Sequence, residues 1–133
     1  MNNPCEDFDD SDCQKYDKTF IKTFMRGFGK TIILGMIKKH RLHGYEIMTN
    51  INKFYLSHNL SKKMKPLGPS TIYPILHDLE KKGLITGTWE YQGKRKLKYY
   101  EITPQGEATI LRIRDIFENN IAKLWEDFWN DEI

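Results

Sequence analysis

The sequence predicts a mainly α fold with one small β-hairpin, in the order helix, helix, helix, strand, strand, helix. Two observations predict it. Apolar residues recur every three or four positions up to Leu79, change to strand-type composition between Leu84 and Thr103, and return to helical spacing as far as Trp129. Turn and cap residues, chiefly Gly83, Gly93 and the pair Thr103-Pro104, stand where the period changes. With 133 residues, 39% hydrophobic and 29% charged, the chain suffices for one core and falls short of two. It is neither a low-hydrophobicity polymer nor a membrane protein. No stretch reaches the roughly 18 apolar residues of a membrane span, and the acidic N-terminus lacks the features of a signal peptide, so the expected address is the cytoplasm.

Residues 1–17 hold six acids and one base and almost no aliphatics, and read as a disordered leader. Its cysteines, Cys5 and Cys13, match neither a zinc spacing nor a disulfide framework; they read as reduced thiols on a tail, with a transient intermolecular disulfide as the alternative. Phe20, Phe24 and Phe28 then recur at helical spacing, and Ile32, Ile33, Met36 and Ile37 extend the stripe toward Lys38 and Lys39. Gly27 and Gly29 predict a kink or break there, since each costs about 1 kcal/mol of helix propensity relative to Ala. Gly44 to Phe54 forms a second amphipathic helix, with Ile47, Ile51 and Phe54 on one face, and a lysine-rich loop extends from it through Gly68. In the third helix Ser70 is the expected cap, which also makes Pro74 tolerable near the first turn, and Gly83 closes the end beside Lys81 and Lys82. Ile72, Leu76 and Leu79 form its buried stripe. Strands over Leu84–Tyr91 and Leu97–Thr103 flank a tip, Gln92 to Lys96, and Thr103 caps a long final helix with Pro104 in its first position.

The net charge of +3 divides unevenly. Residues 18–104 hold 17 bases against five acids, a net +12, between a leader of −5 and a terminal stretch of −4. Such a middle segment has the field expected for a polyanion partner. A helix-turn-helix needs a second helix whose stripe docks on the first while its N-terminal residues enter a major groove, and the third helix offers Ser70, Thr71, Tyr73, Pro74 and His77 away from its stripe. A cationic hairpin directly after it would lie beside that groove, with Lys94, Arg95 and Lys96 at the tip and Lys98 on the returning strand. Each residue has a plainer reading: a solvated basic turn, a half-buried tyrosine, a surface histidine. The combination is what favours double-stranded DNA. The fold class is therefore a winged helix-turn-helix, with a domain over residues 18–103 and a C-terminal dimerisation helix over 104–133.

The run Ile33-Leu34-Gly35 through Leu42-His43-Gly44-Tyr45-Glu46-Ile47, then Ser70-Thr71-Ile72-Tyr73-Pro74-Ile75-Leu76 and Leu79-Glu80-Lys81-Lys82-Gly83-Leu84-Ile85, resembles the PadR family of transcriptional regulators. Trp89, the tip Gly93 to Lys96, Tyr99-Tyr100 and Ile102-Thr103-Pro104-Gln105-Gly106 extend the likeness from about Phe20 to the end of the final helix. The resemblance implies a dimeric, repressor-like regulator with the third helix and wing on DNA and the terminal helix between subunits, and the expected function is a repressor released by a small effector, whose identity the resemblance does not supply. The acidic leader is not part of the family core, and the single C-terminal helix is like that of the shorter members.

The final helix predicts a homodimer independently. Ile110, Ile113, Phe117, Ile121, Leu124 and Phe128 step by three or four, Trp125 and Trp129 add a second flank, and Phe20 and Phe24 lie on the first helix to meet them. One small core has no room for all of these, although packing within the monomer is the competing account. An aromatic or lipophilic effector seated among Trp125, Phe128 and Trp129 is a second reading of the surplus, against simple packing. No enzyme is expected, because no nucleophile, base and orienting group can be placed together, and no metal or cofactor, because His40 and His43 form a weak pair lacking further ligands. The rival function is a winged-helix module that binds protein instead of DNA.

Overall fold

The computed structural model describes residues 10–60 and 65–130, with side chains from Thr19 onward. Helix α1 (Asp10–Lys39) leads to a two-residue strand β1 (Leu42–His43), helix α2 (Gly44–Ser57) and helix α3 (Pro69–Lys81). Strands β2 (Ile85–Gln92) and β3 (Arg95–Ile102) form the hairpin, and α4 (Pro104–Ile116), a π-helical segment (Phe117–Ile121) and α5 (Ala122–Trp129) complete the chain. The helix, helix, helix, strand, strand, helix order is the predicted one, with β1 added. The long final helix is present, interrupted by its π segment. Among the described residues no helix is long and apolar enough to cross a membrane.

Helix α1 corrects two expectations. It runs unbroken through Gly27 and Gly29, because packing outweighs propensity there. Gly29 is buried with the Tyr55 hydroxyl 3.4 Å from where its Cβ would stand, and Phe28 meets Phe117 with ring centroids 6.3 Å apart. It also begins at Asp10, inside the stretch read as a disordered leader. Adding turns to an existing packed helix avoids the nucleation cost that an isolated segment pays. Residues 1–9, with Cys5, and the loop lysines Lys62 and Lys63 lie outside the described residues.

The core gathers Ile33, Leu34 and Ile37 of α1, Ile47 and Ile51 of α2, and the stripe Ile72, Leu76 and Leu79 of α3, which is buried as predicted. Tyr55 takes the place expected for Phe54, which is exposed and meets the His58 ring at a tilt instead. A step of four from Ile51 keeps a side chain on the buried face, whereas a step of three turns it to the rim. Ile110, expected between subunits, is buried beside Gly35 of α1 and so belongs to the monomer core.

The cap of α3 differs from the expected one. Gly68, in extended conformation, is the N-cap, Pro69 takes the first helical turn, and Ser70 lies inside the helix. Pro69 presets the helical φ, which displaces the start one residue upstream. Pro74 is therefore within the helix. The chain entering α3 is held by the Asn52 side chain, which donates to the Leu67 carbonyl at 2.8 Å and accepts from the Leu67 amide at 2.7 Å. At the other end Gly83 has φ +76, with the Leu84 amide donating to Leu79 and the Gly83 amide to Glu80, the paired bonds of a glycine-closed helix.

The sheet order is β1-β3-β2, antiparallel throughout, with β3 pairing Leu42↔Tyr100 on one side and Ile85↔Ile102 through Gln92↔Arg95 on the other. The hairpin turn is only Gly93 and Lys94, with the positive φ at Gly93, as a two-residue turn requires. Arg95 and Lys96, expected at the tip, therefore belong to β3. Thr103 caps α4 as predicted: its hydroxyl oxygen accepts from the Gly106 amide at 3.0 Å.

Two substitutions test this packing. A Cβ on Gly106 would stand 1.9 Å from the Leu84 carbonyl oxygen, so Gly106→Ala is expected to cost about 3 kcal/mol or more in urea unfolding. The Tyr55 hydroxyl is buried with no hydrogen-bond partner among the described residues, and burial pushes its pKa up. Tyr55→Phe is expected to raise unfolding free energy by about 1 kcal/mol, since it removes an unsatisfied polar group and little packing.

Candidate nucleic-acid interface

Helix α3 and the hairpin enclose an open cleft of about 500 Å³. Tyr73 and His77 line it from α3, and Arg95, Lys96 and Lys98 line it from β3. Five of the nine residues expected to touch DNA thus meet on one surface. Ser70, Thr71 and Pro74 lie further along the first turns of α3, Ser70 and Pro74 exposed and Thr71 half-buried, while Lys94 is exposed at the turn. Tyr73 owes its place to Gly44: a Cβ there would be 2.7 Å from the tyrosine ring, so α2 presents bare backbone where Tyr73 crosses it.

Sequence reasoning missed several lining residues. Trp89 is 57% exposed on β2 and lies in the cleft with two lysines near its ring, Lys96 at 5.4 Å and Lys98 at 5.9 Å from the centroid. The signal for it was available: Gly87, Trp89 and Tyr91 alternate onto one face, opposite Tyr100, Lys98 and Lys96 in the register. Tyr45, Glu80 and Tyr100 also line the cleft. Tyr45 is brought there only by the packing of α2 across α3, which no local pattern encodes. His43, weighed as a weak metal ligand, instead caps α2, its Nδ1 accepting from the Glu46 amide while the Glu46 carboxylate accepts from the His43 amide. No group of three or more metal-ligating side chains occurs among the described residues.

The electrostatics of the segment 18–104 depend on where its five acids go. Glu46 is occupied by the cap, Asp78 pairs with Lys30 and Lys82, Glu80 pairs with Lys98, and Glu90 and Glu101 both pair with Arg41. Arg41 also lies 4.4 Å from the Tyr99 ring centre. Hydrogen bonds to Glu90 raise its pKa above the usual arginine value. Lys98, expected beside the tip on the returning strand as a DNA-binding residue, is half-buried and tied to Glu80 at 2.9 Å. Lys94, Arg95 and Lys96 are exposed and make no ion pair with the described residues. The wing thus presents uncompensated positive charge beside a helix whose polar face is open.

The family model for PadR-like transcriptional regulators matches residues 33–112, which span α1 to α4. A transcriptional regulator of Mycobacterium tuberculosis, Rv3488, is 29% identical over 82 residues, covering 62% of this chain and 76% of that protein. Among solved structures, a transcriptional regulator from Clostridium thermocellum is similar with a TM-score of 0.62 at 25% identity, covering 78% of this chain and 93% of that one. Bacillus subtilis PadR, solved in complex with operator DNA, gives a TM-score of 0.52 at 31% identity, covering 62% of this chain and 44% of that one.

Asp78, on α3, titrates below the usual carboxylate range. Hydrogen bonds from Lys30 and Lys82 lower the Asp78 carboxyl from 3.8 to about 2. A carboxyl depressed by folding adds stability above its unfolded pKa and loses it as pH falls through the folded value. Stability is therefore expected to fall between about 3.8 and about 2 through this group. Urea midpoints measured across that window should fall less steeply in Asp78→Asn than in the wild-type chain.

The chain belongs to the PadR-like family of transcriptional regulators and carries its winged-helix fold.

Proposed function

We propose that the chain is a sequence-specific double-stranded DNA-binding regulator that acts in the cytoplasm as a homodimeric repressor. The carrying observation is that the open face of α3 and the uncompensated Arg95 and Lys96 share one cleft, while all five acids of the segment are already engaged. In this reading Ser70, Thr71, Tyr73, Pro74 and His77 face a major groove, and Lys94, Arg95 and Lys96 face phosphates or the neighbouring minor groove. The operator complex of Bacillus subtilis PadR supports the assignment of the partner. A dimer is supported by the C-terminal helix, where Phe117, Ile121, Leu124, Trp125, Phe128 and Trp129 are all exposed in the single chain, as are Phe20 and Phe24. Aromatic surface of this extent is costly to leave in water. The edge-on cluster of Trp125, Phe128 and Trp129 is where an aromatic or lipophilic effector would enter such an assembly.

Selection of bound fragments from a random duplex library, then footprinting, tests the reading. A palindromic site protected by a species of twice the chain mass in sedimentation is expected. The salt dependence separates DNA binding from a protein-binding module: affinity for the selected duplex should fall steeply with salt, and replacing both Lys94 and Arg95 with Ala should lower the log–log slope by about two. A chain that captures no duplex at low ionic strength would overturn the reading.

A further inference from the structure

A carboxylate on the DNA side of a regulator repels a polyanion, and Glu80 is on that side, lining the cleft between α3 and the hairpin. Its position is nevertheless closely prepared. The Lys98 ammonium donates to Glu80 Oε1 at 2.9 Å, with the two side chains only 27% and 29% exposed. Lys98 is further held near the rings of Trp89 and Tyr100, at 5.9 and 5.5 Å. The hydrogen bond to Glu80 favours the charged form of Lys98 and raises its pKa. Strand β2 leaves room for the pair at Gly87, where a Cβ would stand 2.2 Å from Lys98 Cε and 2.5 Å from Glu80 Oε2. The pair therefore crosses over bare backbone, joining the last turns of α3 to the returning strand of the wing. On the opposite face of the hairpin Arg41 ties Glu90 and Glu101 to the end of α1.

We propose that Glu80 is a positioning residue for sequence discrimination: through Lys98 it sets the wing relative to α3, so that groove-facing and phosphate-facing groups meet one duplex together. The proposal rests on the DNA-binding reading above. It predicts opposite signs for two kinds of binding. Non-specific affinity comes from phosphate charge and needs no fixed helix-to-wing geometry, so removing a negative charge strengthens it. Specific affinity needs base and phosphate contacts made in one register, so loosening the wing weakens it.

The test measures the affinity of the full chain for a duplex selected by the wild type and for a scrambled duplex of equal length. Glu80→Gln is expected to bind the scrambled duplex at least as tightly as wild type and to lose about tenfold in the ratio of selected to scrambled affinity. The reversed pair, Glu80→Lys with Lys98→Glu, keeps the net charge and is expected to recover most of that ratio, which a general loss of fold would not allow. Thermal unfolding of each variant reports that it is folded. If Glu80→Gln tightens both duplexes equally, or discriminates as well as wild type, the carboxylate is only a repulsive charge and the proposal is overturned while DNA binding stands. A wild-type chain that enriches no duplex would defeat the DNA-binding reading itself, and this proposal with it.

Discussion

The junction of Gly83 and Leu84 with Thr103 and Gly106 is the constraint on which the rest of the chain depends. The Thr103 hydroxyl donates to the Gly83 carbonyl at 2.7 Å and accepts from the Gly106 amide, while the Thr103 amide donates to the Leu84 carbonyl at 3.1 Å. Helix α3 ends, β2 begins, β3 ends and α4 begins within this small volume. Gly83 supplies the left-handed turn, and Gly106 lets the first turn of α4 rest on the Leu84 carbonyl. The direction of the final helix is thereby coupled to the direction of α3 and of the wing. In a two-chain assembly built on the final helix, that coupling would set the distance between two α3 helices, the quantity a palindromic duplex reads.

Charge in the basic segment is organised by subtraction. Seventeen cations face five acids in residues 18–104, and every one of those acids is engaged in holding an element in place. Asp78 ties α3 to α1 through Lys30, Glu80 ties α3 to β3, and Glu90 and Glu101 tie the hairpin to the end of α1 through Arg41. Partly exposed pairs of this kind contribute little to global stability. Their consequence is geometric and electrostatic: the hairpin is held on both faces, while Lys94, Arg95 and Lys96, on the turn and on β3, make no ion pair with the described residues.

The final helix divides its apolar stripe between two uses. In α4, Ile110 is buried against α1, whereas beyond Ile116 no residue of the π segment or α5 is buried within the chain. The π segment lies where the change occurs. An i→i+5 turn accommodates an extra residue in the helix, and the aromatic residues of α5 beyond it are exposed. Phe28 bridges the two regimes, stacking on Phe24 and meeting Phe117.

Much of the fold was legible because local chemistry and burial agree. The stripe Ile72, Leu76, Leu79, the closing Gly83, the hairpin glycine and the Thr103-Pro104 cap each carry their own physical signal within a few residues, and each appears where that signal placed it. The basic cleft residues were legible by type, because the excess of bases over acids is a property of composition. What the sequence could not decide was long-range. Nothing local distinguishes Lys98, which is bound by Glu80 eighteen positions away, from Lys96, which is not. Nothing local reveals that two residues after α1 add a strand to β3, that packing carries α1 through its glycines, or that Ile110 faces inward while Phe117 stays exposed. Sequence by itself determined periods, caps and charge, which depend on neighbours along the chain; tertiary structure alone decided pairing and burial, which depend on neighbours in space.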